Sequence, residues 1–288
     1  MPTEFRLDLF PMGNIPDTKM ASATRHGVES ARREGIMGLR RLRGNEHVRI
    51  SSTHVLRCQH RRHERLEVIL DFSRASCAVG IRAPDLISCG RDSTGTWWVL
   101  HKRIMGSDCP GQPTRAAFIQ LTEALHALHG APVSGSCRWG DPGVIGIFLG
   151  TVHACEPAAY PRLARHLWEL TANVPMGPIH GDVGLRHNSL WDQTGQLVGI
   201  IDPGAVSVGP PSVDHAWAVA MGVGDGHDPE SLLECVPSDE SDLTRALLPL
   251  MVRRRLSDAR DQGNLDRQEY CESYLKRIGH DGIAWLRG

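Results

Sequence analysis

Lysine is scarce in this sequence. Its 288 residues include 32 Lys and Arg, yet only Lys19, Lys102 and Lys276 are lysines. Net charge is lacking too: 33 acids against 32 bases leave a formal charge of -1, so no whole-molecule field draws nucleic acid or an anionic membrane. No stretch approaches the roughly 20 consecutive apolar residues of a membrane span. Residues 1–6 hold no basic region followed by an apolar one, so no export signal is expected. The eight cysteines form no C-x-x-C pair, and none of the 15 histidines stands at zinc-finger spacing to a cysteine pair. Cys58, Cys77, Cys89, Cys109, Cys137, Cys155, Cys235 and Cys271 therefore read as reduced, partly buried thiols of a cytoplasmic protein. Repeats and low-complexity segments are absent.

What is present is a chain long enough for one large domain or for two lobes around a cleft. It is organised around residues 178–191 and 198–204. A short apolar approach, Pro178-Ile179, delivers His180-Gly181-Asp182 onto a loop, and Asn188 stands six residues after the aspartate. The strand-like run Leu197, Val198, Ile200 and Ile201 then delivers a second aspartate, Asp202. A carboxylate near a hydroxyl acceptor, with an amide and a carboxylate able to share a hard cation through oxygen, are the parts of metal-assisted phosphoryl transfer. Either motif alone reads equally well as a polar turn. Their order and spacing set them together.

The rest of the chain sorts by pattern. Asp17 caps an expected helix through Met20, Ala23, His26, Val28 and Ala31, with Gly35 as its stop. Residues 37–43, 46–50 and 54–59 read as short strands, and residues 61–76 as a helix with an apolar stripe. Trp97 to Gly106 reads as a further strand and its exit. After a linker at 109–113, Thr114 caps a helix carrying Phe118, Leu121, Leu125 and Leu128 at helical spacing. His126 and His129 at its end read as a terminal cation and a packing residue. Residues 130–150 are Gly- and Pro-rich and read as an irregular loop, followed by a helix over 157–173. Asp214 begins a helix and is a candidate cap. Residues 230–235, 239–261 and 266–278 read as helices.

The His-Gly-Asp loop, the following Asn and the second Asp resemble the aminoglycoside phosphotransferase and choline kinase family, small-molecule relatives of protein kinases. The likeness runs from about residue 42 to residue 278 and is specific over 178–219. It implies an α+β, protein-kinase-like two-lobe fold: a small, mainly antiparallel β lobe over residues 1–106 and a larger, mainly helical lobe over 107–288. It implies that Asp182, braced by His180, accepts or orients the proton of a substrate hydroxyl. Asn188 and Asp202 would hold Mg2+ against ATP or GTP as co-substrate. Arg57 takes the strand position usually given to Lys, after a turn at Gly44-Asn45, with Glu67 (or Glu64) as its helix partner. Backbone groups of Lys102, Arg103 and Ile104 would meet the purine edge. Asp214 would brace the catalytic loop, within a segment where Pro210 replaces the family's first Asp.

The family places Asn five residues after the catalytic Asp, a position held here by His187. Asn188-Ser189-Leu190-Trp191-Asp192 keeps the family register, and magnesium favours oxygen over imidazole, so a one-residue bulge before Asn188 is the preferred reading. The implied activity is transfer of a γ-phosphate to a hydroxyl of a small molecule such as an antibiotic. A metabolite kinase acting on an amino alcohol or sugar, and a catalytically silent binding protein of the same fold, stay open. The acidic run Asp239-Glu240-Ser241-Asp242 is the one pointer to a cationic acceptor. No nucleic-acid or membrane partner is expected.

Overall fold

The computed structural model describes residues 17–42, 45–59, 64–93, 95–107, 109, 114–131, 169, 171 and 173–279. The small lobe is a five-stranded antiparallel sheet of β1 (Arg40–Leu42), β2 (Asn45–Ile50), β3 (His54–Gln59), β4 (Leu86–Arg91) and β5 (Trp97–Lys102), in the order β1-β2-β3-β5-β4. Helix α1 (Asp17–Arg33) precedes it, and α2 (Glu64–Ala78) lies between β3 and β4. Gly44 and residues 132–168, which include most of the expected loop and helix before the motif, lie outside the described residues.

Pleating assigns each face of the sheet a job. Leu56 pairs with Leu100 and Cys58 with Trp98, so these four share one face; Arg57 and Val55, paired with Val99 and His101, share the other. The first face is sealed by α1, whose Ala23 and Ala31 join Leu56, Cys58, Trp98 and Leu100 in one buried cluster. That leaves the Arg57 face for the cleft. The helix sits close because Gly27 has no side chain: a Cβ there would meet Leu56 Cδ1 at 2.6 Å and Trp98 Cβ at 3.3 Å. Gly27→Val is therefore expected to destabilise the protein by about 1–3 kcal/mol through overpacking. Thermal denaturation checks this, and an unchanged midpoint would mean that α1 is not seated tightly.

The larger lobe is mainly helical: α3 (Arg115–His129), α4 (Ser212–Gly224), α5 (Pro229–Leu233), α6 (Ser241–Asp261) and α7 (Leu265–Arg277). Thr114 caps α3 as expected, its hydroxyl accepting from the Ala117 amide at 3.1 Å. Every residue of α4 is buried, as suits a helix that is apolar around most of its circumference. It packs against α6, and both join the α3 stripe of Phe118, Leu121, Leu125 and Leu128 in the main core. Two short antiparallel strand pairs carry the motifs. β6 (Gly177–Ile179) pairs with β9 (Ser207–Gly209), and β7 (Ser189–Trp191) pairs with β8 (Leu197–Ile200).

Main-chain bonds tie the second pair to the small-lobe segment between α2 and β4 and to the chain beyond β5. The Ile200 amide donates to Arg82 O at 2.9 Å, while Ser107 and Trp191 exchange bonds of 3.0 and 2.8 Å. The loop ends that present Asn188 and Asp202 are thus anchored from both sides. Among the described residues no helix is long and apolar enough to cross a membrane.

Candidate active site

β6 runs straight into His180-Gly181-Asp182. Gly181 has φ +76°, and a Cβ there would meet Ala205 O at 2.8 Å, so the middle position tolerates no side chain. His180 is fully buried. Its Nε2 donates to Ile201 O at 2.9 Å, and its Nδ1 accepts the Asp182 amide at 3.3 Å. Both ring nitrogens are used, one as donor and one as acceptor, so the ring splints the residue before Asp202 to the loop of Asp182. Its edge rests on Phe72 of α2, with ring centroids 5.4 Å apart.

Asp214 is not a helix cap. The α4 N-terminus falls at Pro211 with no side-chain cap, and the Asp214 carboxylate turns instead to the loop. It accepts the His180 amide at 2.7 Å, the Gly181 amide at 2.6 Å and His129 Nε2 at 3.0 Å. Burial pushes this carboxyl up. The hydrogen bonds from His129 and from the Gly181 amide outweigh burial and hold it below its ordinary value.

Asp182 is one-third exposed and held by several donors. Trp217 Nε1 donates to Oδ1 at 3.1 Å; His187 Nε2 and Asn188 Nδ2 each stand 3.2 Å from Oδ2. A carboxylate offers about four lone-pair positions, so these three donors fix its plane and leave room for one hydroxyl. Trp217 lies three residues beyond Asp214 on α4 and has no signature in the sequence. His187 stands beside the Asp182 carboxylate.

Asn188 and Asp202 are the two non-glycine residues with positive φ, +60° and +57°, among the described residues. Asn and Asp tolerate that region best, and strained backbone of this kind gathers at functional sites. Just before Asn188 the chain makes a tight turn, where Gly184 and His187 exchange main-chain bonds of 2.8 and 3.1 Å. Asn188 Nδ2 donates to Asp182 O at 2.7 Å, which turns the amide so that its oxygen is the remaining acceptor. Asn188 O in turn accepts the Ile201 amide at 2.8 Å, so the two candidate metal residues hang on adjoining backbone.

Across the cleft, Arg57 forms an ion pair with Asp202. The side chains of Glu67 and Glu64 lie outside the described residues, so the expected helix partner is not described. His101, on the same sheet face as Arg57, is pushed down to about 4 by burial and by the Arg57 charge. It is neutral at physiological pH and adds no positive charge beside Arg57. At the sheet exit the Lys102 amide donates to Asp85 O at 3.0 Å and the Arg103 amide to Thr53 O at 2.7 Å. Ile104 is then the residue of the three whose amide has no such commitment among the described residues.

The sequence profile of the phosphotransferase enzyme family matches residues 37–272. No curated protein matches the sequence. Similar solved structures include an aminoglycoside phosphotransferase from Streptomyces rimosus in complex with ADP and streptomycin, 18% identical over 80% of this chain and 98% of that one, with a TM-score of 0.58. A thermostable mutant of another aminoglycoside phosphotransferase, in a ternary complex with AMP-PNP and hygromycin B, is 16% identical over 88% of this chain and 98% of that one, with a TM-score of 0.58. A third, with GDP and kanamycin, is 14% identical over 88% of this chain and 97% of that one, at 0.56. These likenesses give the fold, a protein-kinase-like arrangement of a small antiparallel lobe and a helical lobe. With the profile covering most of its length, this chain belongs to the phosphotransferase enzyme family.

Proposed function

We propose that the protein transfers the γ-phosphate of ATP or GTP to a hydroxyl of a small polyhydroxylated molecule, an amine-bearing antibiotic being the best fit. The observation that carries this reading is the triply held Asp182 carboxylate beside Asn188, facing the Arg57–Asp202 pair. The acceptor hydroxyl takes the remaining position on Asp182, which orients it and receives its proton. Arg57 exchanges Asp202 for phosphate oxygens when a nucleotide arrives, gripping them with parallel donors. The donor set of one amide oxygen and one carboxylate suits magnesium. Asn188 and Asp202 would hold it, and bound there it would offset charge on the phosphates. His180 and Asp214 keep the loop in place. Positioning and charge neutralisation supply most of the acceleration, because the transition state is loose.

The test is single-turnover phosphate transfer across aminoglycosides, other cationic antibiotics, macrolides, amino alcohols and sugars. No transfer to any of them, with nucleotide bound, would remove the proposal. A magnesium titration of nucleotide binding checks the metal pair: Asn188→Ala is expected to weaken it about tenfold or more, and His187→Ala to leave it near normal. The reverse order would mean that His187 occupies the ligand position.

Within the acidic run at 239–242, Glu240 is engaged elsewhere, 3.2 Å from His126 and 2.9 Å from His215. The acid whose charge is coupled to Asp182 is Asp258, about 24 Å further along α6 from Asp242 at 1.5 Å per residue. Burial raises its carboxyl against the pull of Arg254, which lies 2.8 Å away. For a cationic acceptor, Asp258→Asn is expected to raise KM about two- to fivefold with kcat little changed, and salt to raise KM by screening. A KM indifferent to both would point to a neutral acceptor while leaving the kinase reading standing.

A further inference from the structure

A second cluster lies behind the catalytic loop. His129 ends α3, His215 lies in the first turn of α4, and Glu240 immediately precedes α6. One ligand atom from each lies within 4.8 Å of the others. Their side chains are 2%, 0% and 11% exposed. His215 Nε2 and Glu240 Oε2 lie 2.9 Å apart and pair with each other. That leaves two buried ring nitrogens of the cluster, His129 Nδ1 and His215 Nδ1, without a hydrogen-bond partner. Buried polar atoms are almost always paired, so two left over beside a carboxylate call for a ligand.

The chemistry of the orphans selects that ligand. His129 Nε2 donates to Asp214 at 3.0 Å, which fixes the ring with its Nδ1 lone pair uncommitted. A carboxylate on the far nitrogen is how metal-bound histidines are usually oriented. His215 Nδ1 is likewise buried without a partner, so this ring too has a nitrogen to offer. We propose that His129, His215 and Glu240 form a binding centre for a divalent transition metal, zinc being the fitting ion.

Two imidazoles and one carboxylate disfavour magnesium and calcium and match zinc with one further position open. His126, half exposed and 3.2 Å from the other oxygen of Glu240, stands at that side. It lines a cleft of about 410 Å³ with Thr122, Cys235 and Asp239, next in the chain to Glu240. A metal here joins α3, α4 and the start of α6. Through the chain from His129 to Asp214 to the His180 and Gly181 amides, it stiffens the catalytic loop without touching substrate.

The test uses the full chain, stripped with chelator, freed of any affinity tag and dialysed against Zn2+. One tightly bound zinc per chain is expected by atomic emission. His215→Ala and Glu240→Gln should each lower zinc affinity by about 100-fold or more, since even outer-shell changes cost 10–100-fold. Asp202→Ala should retain zinc, which separates this centre from the nucleotide's cation. Co2+ should give visible ligand-field absorption in the wild type and lose it in Glu240→Gln. That near-isosteric variant, checked by circular dichroism without metal, decides the matter even if His215→Ala does not fold. A wild type without zinc, loss of zinc in Asp202→Ala, or unchanged affinity in Glu240→Gln overturns the proposal.

Discussion

Asp182→Asn is expected to lower turnover by about 100-fold or more, the usual contribution of a positioned acid–base group. The carboxamide keeps the shape but offers one acceptor oxygen where the carboxylate receives three side-chain donors. Its best compromise places that oxygen at Trp217 and its NH2 toward His187, which can accept by changing tautomer. Asn188 keeps its bond to the main-chain oxygen of residue 182, so folding changes little. What is lost is the acceptor for the substrate proton and the charge beside it. Rapid-quench measurement of the transfer step, with unfolding measured in parallel, separates these effects. Near-normal turnover would mean that Asp182 is not the residue that meets the hydroxyl.

Asp214→Ala is expected to act on stability rather than on chemistry alone. It removes a fully buried carboxylate from two amides and a histidine, leaving the His180 and Gly181 N–H groups without their acceptor. Breaking such a buried pair typically costs about 3–5 kcal/mol. The folded-state carboxyl lies below its ordinary value of 3.8, so on acidification the unfolded chain takes up the proton first. Stability contributed by Asp214 is therefore full above that ordinary value and drains away as pH falls through the lower folded one. Denaturant unfolding at neutral pH and at pH values below 4 checks both claims. A neutral-pH loss below about 1 kcal/mol, or an undiminished response to acid in the variant, contradicts them.

Much of this was legible in the sequence. β3 at His54–Gln59 matches its expected range, and α6 and α7 begin and end within about two residues of theirs, because alternating or three-and-four apolar spacing is a local property. The motif loop was legible for the same reason: His180, Asp182, Asn188 and Asp202 are close in the chain. Asp214 shows where local reading stops. An Asp near a helix start looks the same whether it caps that helix or reaches back to another loop, and only the fold brings it to His180. Trp217, His101 and the His129–His215–Glu240 cluster were missed altogether. Their partners come from distant segments, and spacing along the chain says nothing of groups that α3, α4 and the residue before α6 bring together. For the acidic run at 239–242, a count of charges says nothing of what each acid meets, and Glu240 meets His126 and His215.

The α1 helix has a practical bearing on how the protein is handled. The family profile begins at residue 37, beyond the end of α1 at Arg33. A chain trimmed to that boundary would keep every residue assigned to phosphate transfer, yet it would strip the covering from Leu56, Trp98 and Leu100. Bared β-sheet faces of that kind are sticky, and they recruit copies of themselves. The trimmed protein would be lost to precipitation while the candidate site residues stayed in the chain, and an inactive preparation of that sort would say nothing about the chemistry.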